Sequence, residues 1–259
     1  VEGEEQKLDF EGEDQQSDSE TTGADTSDDS SDATSPSTQK EINDWAKKLA
    51  TYYAQILFYA FLTESAVASL ADIIQSIQDN DDNWRIARHV GLQLSILKLL
   101  QQKSNAFSLR ALDYKIENLN SLMRDASLAP EKRVEVAMAK FGRLSSSEVV
   151  TPQSVALEMI TALGADAITS QTKILDIASK QGEFTRAFIA LHGIEVGHNV
   201  YALPTSTVSY EFTRKVYSLL GIDTSHVFSD FTTYDLLNPD KKATLMEKLK
   251  DMNFDLVIG

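Results

Sequence analysis

The residues best suited to chemistry follow a short apolar run near position 175. Lys173-Ile174-Leu175-Asp176-Ile177 predicts a buried strand that carries a carboxylate, and a polar turn through Gly182 follows it. Ligands of parallel sheets bind beyond the carboxyl ends of the strands, so Asp176 is placed to bind a cationic amino group or a ribose. A single glycine argues against a dinucleotide pyrophosphate site, which needs close backbone approach at several points. An aspartate that closes a strand without any ligand explains this loop, taken alone, equally well.

Two further motifs lie before and after this strand in the sequence. Val149-Val150-Thr151-Pro152 leads into an amphipathic helix, and it predicts Thr151 as the N-cap and Pro152 as the first helical residue. Ser229-Asp230-Phe231 follows the predicted strand His226-Val227-Phe228. An isolated loop aspartate is typical of a turn cap, but the position of Asp230 between a strand and Phe231 favours a ligand role.

Other kinds of site have little support in the sequence. The chain has no cysteine, which excludes disulfides, cysteine-ligated zinc and thiol nucleophiles. The histidines at 192, 198 and 226 have no second ligand at metal spacing, so we predict no metal site. The candidate phosphate-binding cations are too scattered to predict a DNA-binding patch. They are Arg133, Arg143, Lys180 and Arg186.

The elements that position these motifs alternate between strands and helices. Strands are predicted at 173–177, 199–203, 226–228 and 254–258, with helices at 153–163, 184–192 and 208–220 between or before them. Such alternation predicts a parallel sheet with helices on both faces. We therefore expect residues 148–259 to be the N-terminal half of a Rossmann-like, doubly wound α/β domain. The chain starts at Val1 and ends within an apolar run, so we expect both ends to continue in a longer protein.

The first 147 residues have a different character. Residues 1–39 hold thirteen Asp or Glu and one Lys, almost the whole formal net charge of -15. With so little apolar surface to bury, this segment is predicted to be a disordered acidic linker; an acidic mimic of DNA is the alternative. Residues 40–147 show helical periodicity and predict a connector domain of four or five helices, with the run at 56–62 in its core. No apolar stretch is long enough for a membrane span, and we expect a cytoplasmic protein without a membrane partner.

The motifs, in this order and spacing, resemble the amino-methyltransferases of restriction-modification systems. The resemblance is to the gamma-class enzymes that methylate the N6 atom of adenine, as in type I and type IIG systems, and it covers residues 148–259. It implies an S-adenosylmethionine (SAM) cofactor and duplex DNA as substrate. A specificity subunit or fused recognition domain would then supply the DNA sequence preference.

The resemblance also implies roles for individual residues. Thr151, Pro152 and Val155 would close over the methionine end of the cofactor. Asp176, Ala178 and Gly182 would hold the methionyl amino and carboxylate groups. Asp230 would bind the exocyclic amine of the cofactor's adenine, with Phe231 beside it.

Two positions depart from the family pattern. Lys180 stands where the family usually has glycine in the turn. The second strand ends in Pro204, followed by Thr205 and Ser206, where the family has an acidic residue that binds both ribose hydroxyls. A hydroxyl accepts hydrogen bonds less strongly than a carboxylate, so this departure bears on cofactor affinity.

The family's catalytic motif, Asn-Pro-Pro and an aromatic residue, would follow the strand that ends before Gly259. It would hold the target amino group and stack on the flipped adenine. We therefore predict no catalytic residue within this chain and no activity for the chain alone. Two alternatives remain open: a degenerate module for assembly or DNA positioning, and a methyltransferase that acts on RNA or protein glutamine.

Overall fold

A computed structural model describes residues 36–140, 150–164, 167–228 and 238–259. Over these residues the protein is mostly helical, with one small parallel sheet. The helices are α1 Pro36–Leu62, α2 Leu70–Asp79, α3 Asp81–His89, α4 Leu94–Lys103, α5 Ala106–Arg124, α6 Pro130–Lys140, α7 Gln153–Ala162, α8 Glu183–His192, α9 Ile194–Gly197, α10 Thr207–Leu220 and α11 Pro239–Met252. The strands are β1 Ile174–Ser179, β2 Val200–Pro204 and β3 Leu256–Ile258.

The chain divides into two compact units within α1, after Tyr53. In the described part of the first unit, the ammonium of Lys48 lies 5.2 Å from the centre of the Trp45 ring. In the second unit, α1 continues into the run at 56–62, where no residue is more than 6% exposed. The sequence predicted this run as core, and its burial confirms that prediction. None of the described helices has the length and apolar character that a bilayer crossing requires.

Six helices, α1 to α6, lie within residues 36–140, so the prediction of four or five helices for the connector domain was too low. N-cap residues with short polar side chains divide into separate helices a stretch that its apolar pattern predicts as fewer, longer helices. The Ser69 side chain accepts a hydrogen bond from the Asp72 backbone N–H at 3.1 Å, and it starts α2. Asn80 ends α2 and caps α3 by accepting from the Asn83 N–H. The first helix also begins at Pro36, within the predicted linker.

A buried amide holds the turn after α1 against α5. The Asn120 side chain, in a residue 3% exposed, donates to the carbonyls of Ala60 (3.0 Å) and Ser65 (3.1 Å). Its oxygen accepts from the Val67 backbone N–H at 3.1 Å. Three backbone groups at the end of α1 and in the turn after it therefore depend on one side chain, because buried polar groups are costly when unpaired.

Helix α10 joins the first helices to the sheet. One face carries Phe212, whose ring packs against those of Phe58 and Phe61 in α1 at centroid distances of 5.3 and 5.0 Å. On the same side the buried Glu211 carboxylate pairs with Arg85 at 3.0 Å and His89 at 2.6 Å, both from α3. The opposite face of α10 packs towards β2.

The sheet has the order β2-β1-β3 with all three strands parallel. Asp176 of β1 pairs with Ala202 of β2 on one side and Ile258 of β3 on the other. The predicted strand at 226–228 is wrong: a 3₁₀ turn, Thr224–His226, occupies its start. Only Val227 forms a parallel bridge, to Ala202, and the His226 ring stacks on Tyr201 at 4.0 Å.

Apolar clusters cover both faces of the sheet. Ile174 and Val200 pack on one side with residues of α7 and α8, whereas Leu175 and Leu203 pack on the other with Leu245 of α11. Alternate residues of a strand point to opposite faces, so these two sets arise directly from the apolar strand sequences. The predicted cap of α7 is wrong by one residue: Pro152 is the N-cap, without a side-chain hydrogen bond, and Thr151 precedes it.

Replacing Asn120 with alanine tests the role of the buried amide. The Asn120→Ala variant leaves three buried backbone groups without their partner, and we expect it to lower the free energy of unfolding by about 2 to 4 kcal/mol. Urea unfolding followed by circular dichroism measures the loss. Asn118→Ala, at an exposed position of the same helix, is the control and should shift stability by less than about 0.5 kcal/mol. Equal effects of the two changes would refute this role.

Candidate functional site

The candidate site lies at the carboxyl ends of β1 and β3. The next strand in the chain, β2, and then the Val227 bridge lie on one side of β1, and β3 lies on the other, so the strand order reverses here. In open parallel sheets the two connecting segments diverge at such a point and leave a crevice for ligands. A side chain at Gly259, directly after β3, would place its Cβ 2.4 Å from the Ile177 carbonyl oxygen. The ends of the two strands are therefore in close contact.

The end of β1 and the turn after it have an unusual backbone. Ala178 has φ of 65°, in the left-handed region, and it lies at a register shift between Ile177 and Ser179. A non-glycine residue in this region stores strain of order 1–3 kcal/mol, which is common where a site needs a particular backbone geometry. Gly182 also has positive φ and is the N-cap of α8; a Cβ there would lie 3.2 Å from the Val216 side chain. The turn therefore follows a path that few other residues would allow.

Asp176 is buried with little compensation: the Ser179 side chain lowers its pKa slightly but lies outside hydrogen-bond geometry. The residue is 0% exposed, and neither carboxylate oxygen has a hydrogen-bond partner among the described residues. Burial raises the pKa of Asp176 well above its ordinary value, and the nearby negative charge of Glu183 raises this pKa further. A buried carboxylate left in this state is costly unless a cation or a proton neutralises it.

Glu183 places a second carboxylate beside Asp176. It is the first residue of α8 and is 2% exposed. Its oxygen accepts a hydrogen bond from the Gln181 backbone N–H at 2.8 Å, which anchors the turn. Glu183 was not predicted as a site residue; an acid directly after the turn glycine at the start of a helix was the signal available in the sequence.

Hydroxyl groups line the buried side of the same region. The Tyr217 hydroxyl and the Thr185 hydroxyl are 2.8 Å apart. Burial raises the pKa of Tyr217, and the charge of Asp176 contributes to the same shift, so both phenol and threonine are neutral partners. The Ser179 hydroxyl lies 3.2 Å from that of Thr213 in α10. These groups orient and donate hydrogen bonds, and none of them is a cation that would balance Asp176.

The ends of β1 and β2 are joined by a side-chain hydrogen bond. The Lys180 ammonium donates to the hydroxyl of Thr205, which directly follows Pro204. Lys180 therefore contacts the residue next to Pro204, the other position that departs from the family pattern. Ser206 is the N-cap of α10 and accepts from the Ser209 N–H, so its hydroxyl has a structural role.

The other predicted site residues fall into two groups. Pro152 and Val155 are exposed and Thr151 is half-buried, on or just before a helix whose Ala156 packs into the apolar cluster with Phe184 of α8. Asp230 and Phe231 lie outside the described residues. The structure thus places Asp176 and Ala178 in β1 and Gly182 in the turn that follows it.

No group of three or more His, Cys, Asp or Glu side chains within the described ranges is arranged to hold a metal ion. Of the histidines considered from sequence, His226 is part of the ring stack on Tyr201, and burial lowers its pKa. Burial lowers the pKa of the Arg186 guanidinium and the Glu183 carboxylate raises it against this effect, so Glu183 already interacts with Arg186. Asp176 is therefore the carboxylate at this site that is left to bind a cationic group.

Asp176→Asn tests whether burial of the Asp176 carboxylate lowers the stability of the protein. In the unfolded chain Asp176 ionises near its ordinary pKa of 3.8, whereas the folded chain keeps the proton to higher pH. The stabilising effect of this proton is complete below pH 3.8 and is lost as the pH rises through the raised folded-state pKa. The amide of the Asp176→Asn variant does not ionise and does not lose stability in this way. We therefore expect the substitution to raise the free energy of unfolding by about 1 to 3 kcal/mol at pH 8.

Thermal or urea unfolding at pH 5 and pH 8 measures this gain, which should be larger at pH 8. Asp251→Asn, which changes an exposed carboxylate, is the matched control and should alter stability by less than about 0.5 kcal/mol. Destabilisation by Asp176→Asn at both pH values would mean that the carboxylate has a stabilising partner.

Comparison of the chain with protein-family models, with curated proteins and with solved structures finds no match.

Proposed function

We propose that residues 148–259 form the SAM-binding half of an amino-methyltransferase that methylates the N6 atom of adenine in duplex DNA. The single observation that carries this proposal is the buried, unpartnered carboxylate of Asp176 at the point where strand order reverses. A ligand with an ammonium group supplies the charge and the hydrogen bonds that this carboxylate lacks. SAM has such a group, and its sulfonium supplies an electrophilic methyl when the cofactor is bound.

The topology supports the same proposal. Across the sheet the order is the Val227 bridge, β2, β1 and β3. This order corresponds to strands 3-2-1-4 of a doubly wound sheet: one half of the sheet and the first strand beyond the switch point. In such a sheet the first turn after the central strand binds the ligand. The strained Ala178 and the glycine at 182 lie in that turn. We therefore propose that the three-stranded sheet is part of a Rossmann-like domain whose other strands lie beyond Gly259.

In this proposal each residue of the turn has a defined task. Asp176 accepts hydrogen bonds from the methionyl ammonium, while Ala178 and Gly182 present backbone groups to the same end of the cofactor. Glu183 anchors the turn through its hydrogen bond from the Gln181 N–H. Thr151, Pro152 and Val155 cover the methionine end, and Asp230 and Phe231 contact the adenine. Catalysis belongs to an Asn-Pro-Pro-aromatic motif after β3 in a longer protein, with DNA recognition outside this chain.

One observation favours a second candidate, a non-catalytic module of the same fold. Pro204 is buried at the end of β2, and the next residue, Thr205, accepts a hydrogen bond from Lys180. Residues 204–207, which end β2 and start α10, include no carboxylate to bind the ribose hydroxyls. A module that positions DNA or a partner protein would need no such group.

Titration of SAM into the chain separates these candidates. If the cofactor site is functional, calorimetry should detect binding by the wild-type chain. The Asp176→Asn variant keeps the shape but cannot supply a charge, and it should weaken binding by at least about tenfold, the equivalent of 1.4 kcal/mol. Asp251→Asn should bind as the wild type does. Absence of binding by the folded wild-type chain would favour the non-catalytic module.

Cofactor binding should also depend on pH. Because the ligand cation needs the ionised carboxylate, binding displaces the proton that burial holds on Asp176. The affinity should therefore fall by up to about tenfold per pH unit below the raised pKa of Asp176. Titrations in two buffers of different ionisation enthalpy measure the released proton. The same affinity at every pH from 5 to 8 would exclude this linkage.

DNA methylation is testable with a longer protein that includes the residues after Gly259. Incubation with SAM and duplex DNA should yield N6-methyladenine, and replacing the motif asparagine with alanine should abolish the product. Asp176→Asn in the same protein should raise the KM for SAM more than it lowers kcat, because its role is in binding. An unmodified DNA product from a protein that binds SAM would refute DNA adenine as the substrate.

A further inference from the structure

A cavity of about 340 Å³ lies between α10, the end of α1 and α3. Four residues of α10 line it, and they share one helix face because they are three or four positions apart: Glu211, Arg214, Lys215 and Ser218. Two other residues of α10, Thr213 and Val216, contact Ser179 and Gly182 at the end of β1 and in the turn after it. The cavity is therefore on a different face of α10 from the candidate cofactor site.

Each acidic side chain that lines the cavity has a positively charged partner within the protein. The Glu211 carboxylate pairs with Arg85 at 3.0 Å, and an Asp82 oxygen lies 3.3 Å from the same guanidinium. Glu64, the third acid of the lining, pairs with the Lys215 ammonium at 2.7 Å. These carboxylates therefore do not require a cation from a ligand.

Arg214 differs from these residues because its charge is unpaired. Its half-buried side chain lines the cavity and takes part in no ion pair or hydrogen bond with any residue that the structure describes. The planar guanidinium of an arginine binds phosphate and carboxylate groups through two parallel hydrogen bonds. Arg214 is therefore available to an anion that enters the cavity from solution.

Lys215 provides a second cation at the next position of α10. The residue is 5% exposed, whereas the side chain of its partner Glu64 is 76% exposed. Burial lowers the pKa of Lys215, Glu64 opposes this effect, and the charges of Arg133 and Arg124 lower the pKa as well. These surroundings favour a further anion beside the ammonium. Because Glu64 is largely in solvent, its carboxylate can turn away from Lys215 at little cost.

We propose that this cavity binds a small phosphate-bearing molecule, with Arg214 and Lys215 holding the phosphate group. A phosphate carries about two negative charges on three oxygens, so it can accept hydrogen bonds from both cations at once, whereas a carboxylate has a single charge. Glu64 leaves Lys215 when the ligand enters. The cavity volume is near the lower end of the range for small-molecule sites, roughly 300–1,000 Å³.

Titration of the full chain with inorganic pyrophosphate, by calorimetry at constant ionic strength, tests this proposal. We expect the wild type to bind, and its Tm to rise with pyrophosphate concentration, because a ligand of the folded state stabilises that state. Arg214→Gln removes the unpaired charge and should weaken binding by about ten- to hundredfold. Arg110→Gln, which removes an exposed charge on α5, is the matched control and should bind as the wild type does. No binding by the folded wild type, or an equal loss in the two variants, would overturn the proposal.

Glu64→Gln tests the exchange of Glu64 for the ligand. Without the competing carboxylate, the Lys215 ammonium has no anion of the protein to leave, so binding of pyrophosphate should become tighter by up to about fivefold. Circular dichroism should show the same helix content as in the wild type. Weaker binding by this variant would overturn the exchange.

Two further measurements identify the source of the phosphate and separate this site from the cofactor site. Equal affinities for pyrophosphate and adenosine triphosphate would mean that the phosphate alone is recognised. Tighter binding of adenosine triphosphate, lost in Arg214→Gln, would mean that the ligand is a nucleotide; either result supports the site. Asp176 does not line the cavity, so Asp176→Asn should leave the affinity for pyrophosphate unchanged. A loss in that variant would place the anion at the turn after β1 and would overturn a separate site.

Discussion

The free-energy cost of burying the Asp176 carboxylate is the constraint on which the chemistry of the sheet's carboxyl end depends. Asp176 lies in the central strand and is paired with Ala202 of β2 on one side and Ile258 of β3 on the other, so the sheet fixes the position of its backbone. Its side chain follows the alternation of the strand into a buried space near Glu183 and Tyr217. Removing an ionised group from water is expensive, and these neighbours offer no positive charge. The turn therefore gains the most from a ligand that brings one, and proteins commonly accept such local instability where they bind ligands.

The surroundings of this carboxylate are rigid. α10 contacts the turn through Thr213 and Val216 on one face and the helices of the N-terminal half through Phe212 and Glu211 on the other. The Glu211 pairs with Arg85 and His89 are largely buried, and breaking one partner of such a set is costly. The helices that precede the sheet thus support the turn from behind. Their function is in this respect structural: they hold α10, and α10 holds the turn.

The two departures from the methyltransferase pattern become a single feature in three dimensions. A lysine in the first turn and a threonine after the second strand are 25 residues apart in the chain, and their side chains share one hydrogen bond. A carboxylate at position 205 would pair tightly with Lys180 and hold it away from a ligand. With a neutral hydroxyl there, the ammonium keeps its capacity to bind an anion. The lysine and the threonine therefore determine the chemistry of this corner together.

The sequence by itself determined the parts that depend on local pattern. The core run of α1, the helices that follow β1 and β2, and the strands around Leu175 and Tyr201 were predicted within a few residues, because apolar periodicity reflects which face an element buries. The caps at Ser69 and Asn80, which raise the helix number to six, were missed because short polar residues also occur within helices and loops. The strand predicted at 226–228 was wrong since three apolar or aromatic residues suffice for one bridge and a ring stack but not for a ladder.

Tertiary structure alone decided the charge balance of the site. Sequence indicated that Asp176 follows an apolar strand; it did not show that both of its oxygens are unpartnered, that Glu183 lies beside it, or that Lys180 rests on Thr205. These facts depend on which side chains meet across the sheet and α8, at separations that no local pattern encodes. Electrostatic interactions act through space and depend on burial, so the sequence determined where the turn lies, and only the packing of the chain decided which charges in it remain uncompensated.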